Sequence, residues 1–70
     1  MYEHRNRESY ELIATNDVYD FYVSKKKLGY CYYTEAWLKG TNISTCMGGF
    51  NTKKAAKNCA EVWAGWMGLH

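Results

Sequence analysis

Three lysines and a threonine open the one clear helix of this sequence. Thr52-Lys53-Lys54-Ala55-Ala56-Lys57 places a good N-cap residue ahead of three cations in the first two turns. Free amides and the positive end of the helix dipole already lie there, so cations at that end weaken the helix by a few tenths of a kcal/mol each. The same groups suit a phosphate, which amides, dipole and ammonium groups all attract. A second basic run, Lys25-Lys26-Lys27, lies well upstream. Catalytic chemistry finds no comparable support. The only histidines are His4 and His70, at the two ends, so neither a Ser–His–Asp nor a Cys–His arrangement has its base. Gly48-Gly49 precedes the helix without the GxxxxGK[ST] pattern of a phosphate-binding loop. Cys31, Cys46 and Cys59 are widely spaced and form no CxxC pair, so no metal set is expected. They read as three buried thiols in a reducing compartment. The chain is expected to be no enzyme and to need no cofactor.

The formal charge of +2 hides a strong asymmetry. Residues 1–24 carry −3, residues 25–57 carry +6 and residues 58–70 carry −1. The middle segment holds seven lysines against Glu35 alone. That distribution points to an anionic partner for one face.

The elements that must position these residues follow from patterning. Seventy residues make one domain, and 47% of them are hydrophobic, 17% aromatic. Such a composition excludes an ordinary disordered chain. Apolar runs are too short to cross a bilayer, and Met1 to Thr15 lacks an apolar leader segment, so a cytoplasmic location away from membranes is expected. Lys53 to about Met67 reads as an amphipathic helix weakened and ended by Gly65 and Gly68. Its apolar arc contains Ala55, Ala56, Cys59, Ala60, Val62, Trp63, Trp66 and Met67, with Trp63 and Trp66 expected as anchors in the core. Val18 to Ser24, Tyr30 to Lys39 and Ile43 to Gly49 read as strands, separated by Lys25–Gly29 and Gly40–Asn42. Short connections imply antiparallel pairing as a meander. Residues 7–15 suit a short helix or a strand, with strand favoured over 10–15. The expected architecture is α+β: a three- or four-stranded meander over 10–49, a helix over 52–68 on one face, and residues 1–9 open to disorder. On the second strand, Tyr30, Tyr32, Thr34, Ala36 and Leu38 are expected to face the helix. Cys31, Tyr33, Glu35, Trp37 and Lys39 take the other face, leaving Tyr33 and Trp37 partly exposed as a contact surface together with Lys39.

Thr52 to Ala60, TKKAAKNCA, resembles the start of the last helix of double-stranded RNA-binding domains, whose pattern is [ST]-K-K-x-A-K followed by small residues. Lys53, Lys54, Ala56 and Lys57 match it position by position, and Gly48 matches the first glycine of that family's G-x-G. The likeness extends over about residues 18–68. It departs at Lys25–Gly29, where the family carries G-P-x-H, at Phe50, which replaces the second glycine, and at Glu61. The resemblance implies that the lysines grip phosphates across an A-form duplex, read by shape rather than by sequence. Phe50 to Ala56 also resembles the F-x-T-K-x-x-A passage of phage integrase arm-type DNA-binding domains, which implies base reading by the exposed sheet face. A weaker similarity links the helix start to HicB-like antitoxins. The expected partner is therefore nucleic acid, duplex RNA ahead of DNA, held by Thr52, Lys53, Lys54 and Lys57 with Lys25, Lys26 and Lys27. Two further readings stand beside it. One is a small phage- or plasmid-type inhibitor that binds an acidic host protein through its Tyr, Trp and Lys surface. The other is a homo-oligomer formed through the exposed sheet face.

Overall fold

Three hairpin connections and one amphipathic run leave few ways to fold. The computed structural model describes residues 9–67. Strands β1 (Tyr10–Thr15), β2 (Tyr19–Ser24), β3 (Tyr32–Leu38) and β4 (Ser44–Phe50) are followed by helix α1 (Lys53–Ala64). The strands form one antiparallel sheet in the order β1-β2-β3-β4, with α1 packed across one face. The α+β meander is thus four-stranded, and residues 10–15 are a strand. Gly40 (φ 78°) turns the β3–β4 hairpin, and Gly29 (φ 74°) turns a small loop closed by Leu28 and Cys31. Both glycines occupy the left-handed region that side chains disfavour. The expected disorder of residues 1–9 falls outside the described residues except at Ser9, whose carbonyl accepts the Lys25 N–H at 2.9 Å.

The core is small and tightly made. Phe21, Val23 and Ala36 from the sheet meet Ala56 and Ala60 from α1, all essentially without exposure. Thr34, also buried, donates its hydroxyl to the Ala56 carbonyl at 2.9 Å. Alanine at both helix positions lets α1 sit close to the sheet. Asn16, in the β1–β2 turn, anchors the other end of α1. Its Oδ1 accepts the N–H groups of Val18 and Tyr19, both at 2.8 Å. Its Nδ2 donates to the carbonyls of Ala64 and Met67 at 3.0 and 2.9 Å, holding the last turn that Gly65 caps. The helix therefore ends at Ala64, short of the expected 68; residue 68 lies outside the described residues.

Four expectations about side-chain placement are corrected. The three cysteines are not all buried: Cys46, on edge strand β4, is exposed, and Cys31 and Cys59 are half-buried. Trp63 and Trp66 are not core anchors: they are 43% and 62% exposed. The apolar arc of α1 is wider than the sheet can cover, and the bonds from Thr34 and Asn16 turn its alanine side inward. Trp37 is not exposed on the far face of the sheet. Its indole N–H donates to Glu35 Oε1 at 3.2 Å, and Tyr22 packs edge-on against its ring at 6.4 Å between centroids. Tyr10 donates to the other Glu35 oxygen at 3.2 Å. Glu35 and Trp37 are consequently both buried, so β3 is covered on both faces from Thr34 to Trp37. Tyr30 does not face the helix. It precedes the start of β3 at Tyr32 and is nearly fully exposed, so strand alternation never reaches it.

Candidate functional site

Topology brings the two basic runs to one end of the molecule. β1 and β3 begin at this end, and β2 and β4 finish there, as the pairings Tyr10 with Ser24 and Tyr32 with Phe50 require. Lys25, Lys26 and Lys27 leave the end of β2, and only two residues separate the end of β4 from the start of α1. Lysines separated by more than twenty residues in sequence thereby flank one surface.

Glu11 marks the centre of this arrangement. Val23 lies opposite it in the β1–β2 register, so its side chain points to the helix side of the sheet. Lys53 Nζ donates to Glu11 Oε1 at 2.8 Å, with both side chains about one-third exposed. The hydrogen bond to Lys53 holds the Glu11 carboxyl below its ordinary range, with burial opposing. The charges of Lys53, Lys57 and Lys25 lower it further, so lysines from both runs lie near one carboxylate. Four lysines, 25, 26, 27 and 54, are exposed, and Lys57 is half-buried. Thr52 caps the helix: its Oγ1 accepts the Ala55 N–H at 3.1 Å. The amides of Lys53 and Lys54 lie in the first turn of the helix. A solvent-open depression runs from Thr52 past Lys54 and Lys57 to Glu61 along the outward side of α1.

The second set of expected contact residues is not brought to this end as a group. Lys39 lies at the opposite end of the sheet, 3.4 Å from the Asp20 carboxylate. Tyr33 is half-buried on the far face opposite Gly49, where an added methyl would meet the Tyr33 ring at 3.0 Å. Trp37 is enclosed as described. Glu11 is the site residue that the sequence left unmarked. Its signal is weak, a lone acidic residue alternating with Tyr10 and Leu12, and its partner stands 42 positions away.

Among the described residues no group of three or more His, Cys, Asp or Glu side chains could hold a metal ion, and no helix is long and apolar enough to cross a membrane. Burial pushes the Cys59 thiol above its ordinary pKa, with the Thr34 hydroxyl opposing. Comparisons with models of protein families, with curated proteins and with solved structures found no match.

Proposed function

We propose that this chain is a non-catalytic nucleic-acid-binding module that grips the phosphate backbone of a duplex with its lysine-rich end. One observation carries the reading. Lys25–Lys27 and Lys53, Lys54 and Lys57 all stem from the end of the sheet where α1 begins, and Lys25, Lys53 and Lys57 lie near the Glu11 carboxylate. Six lysines at one end of the molecule suit the repeated charge of a phosphate backbone better than a single small anion. Duplex RNA is favoured over DNA because Thr52 to Ala60 resembles the phosphate-gripping helix of double-stranded RNA-binding domains. Reading of DNA bases by the sheet face draws no support, since Trp37 is enclosed and Lys39 is paired with Asp20.

The test is a salt-titrated binding assay with duplex RNA, duplex DNA and single strands. Duplex RNA should bind tightest, with log K falling linearly against log salt. Lys26→Gln and Lys54→Gln, one from each run, should each weaken binding and reduce that slope by about 0.9. Lys39→Gln, at the far end, should change neither. No binding at low salt, or equal sensitivity to Lys39→Gln, would refute the proposal.

A further inference from the structure

The β4 side of the molecule is built differently from the rest. From Gly40 to Thr52 the chain carries no charged residue. This run contains edge strand β4. The opposite edge, β1, carries Glu11 and a bulge between Leu12 and Ala14, two devices that discourage strand pairing. Residues 41–46 are all exposed, with Ile43 at 61%. The irregularity of β4 lies beyond Cys46, so Ser44 to Cys46 run straight.

Hydrogen bonding fixes which backbone groups face outward. The Leu38 N–H donates to the Ile43 carbonyl at 3.0 Å, and antiparallel pairs alternate between bonded and non-bonded. Thr45, opposite Ala36, therefore bonds to β3. Ser44 and Cys46, opposite Trp37 and Glu35, direct their N–H and C=O groups to the open edge.

The helix supplies a second, independent observation. At about 100° per residue, Ala55, Cys59, Val62 and Trp63 share one flank of α1, and Trp66 follows in the turn after it. Lys53 and Lys57 occupy the other flank, where Lys53 reaches β1. The apolar flank thus turns toward the β4 side of the sheet. Val62, Trp63 and Trp66 are between 43% and 62% exposed.

We propose that two copies of this chain join about a two-fold axis, β4 edge to β4 edge, with their α1 apolar flanks facing across the joint. Centring the pairing on Thr45 sets Ser44 against the partner's Cys46, and Cys46 against the partner's Ser44. All the outward N–H and C=O groups of these residues are then bonded. An axis normal to the sheet leaves both helices on the same face, with their apolar flanks turned toward the joint. No like charges meet, because the 40–52 run and the apolar flank are uncharged, and the lysine ends point away in opposite directions. An extended peptide from another protein would satisfy the edge but leave Trp63 and Trp66 in water. A second copy satisfies both.

Sedimentation equilibrium of the full chain under reducing conditions tests the assembly, with amide hydrogen exchange across a dilution series. The expected mass is twice the 8.2 kDa of the chain. The Ser44 and Cys46 amides should be protected when concentrated and lose protection on dilution, whereas Thr45 stays protected throughout. Cys46→Lys and Trp66→Glu should each abolish association while circular dichroism is unchanged, and Lys54→Glu should leave it intact. A native chain that is monomeric at every concentration overturns the proposal. So does a dimer in which the Ser44 and Cys46 amides exchange freely, or a dimer that survives Cys46→Lys. If either variant unfolds, the exchange pattern of the native chain decides.

Discussion

Replacing Glu11 by Gln isolates the electrostatics of the lysine-rich end, because the change keeps shape and removes one charge. In the native chain Lys53 Nζ lies 2.8 Å from Glu11 Oε1. Each side chain is about one-third exposed, so the pair contributes no more than about 1 kcal/mol to stability. The substitution should therefore lower stability slightly. Its effect on duplex binding should be larger and of opposite sign. Lys53 becomes available to a phosphate, and each added phosphate contact steepens the dependence of log K on log salt by about 0.9. Near 0.1 M salt that slope corresponds to roughly eight-fold tighter binding. Losing the carboxylate beside Lys25 and Lys57 acts in the same direction. Fluorescence anisotropy with a duplex RNA probe over a salt series reads both quantities. An intact fold with unchanged affinity and slope would refute the placement of Lys53 at the interface.

Other consequences can be checked directly. The Glu11 carboxyl is held below its ordinary range, so the pair stabilises the fold above that range and the gain is lost as pH falls through the lowered value. Native and Glu11→Gln chains should accordingly differ in Tm near neutrality and converge in acid. Asn16→Ala removes bonds to both the β1–β2 turn and the last turn of α1, and should cost about 1–3 kcal/mol in chemical denaturation. Ala60→Leu forces a larger side chain into a fully buried contact and should cost about 1–3 kcal/mol. Trp66→Ala, at an exposed position, should leave the stability of the single chain within about 0.5 kcal/mol. Cys59, whose thiol burial keeps protonated, should be alkylated more slowly in the folded chain than in denaturant, as peptide mass analysis would show.

Much of the fold was legible in local pattern. The turn residues at 25–29 and 40–42, the β-branched and aromatic runs beside them, and Thr52 ahead of an alanine-rich stretch are short-range signals, and the last three strands and the start of the helix lie within two residues of where those signals put them, whereas the helix ends earlier than its pattern does. Side-chain placement was less legible. A helical wheel shows that α1 has an apolar arc but not which part of it is covered. Strand alternation separates Tyr33, Glu35 and Trp37 from the helix face without showing that Glu35 would accept from both Trp37 and Tyr10.

The sequence by itself determined the order of the elements, the meander, the N-cap and the two runs of lysine, because each depends on neighbours a few positions apart. Only the tertiary structure decided the rest. Hydrogen bonds from Thr34 and Asn16 rotate α1 so that its alanines enter the core and its tryptophans stay outside. Strand register carries Glu11 to Lys53 and leaves Lys39 at the far end with Asp20. The convergence of two distant lysine runs on one end arises from the closing of the sheet, which no local pattern encodes.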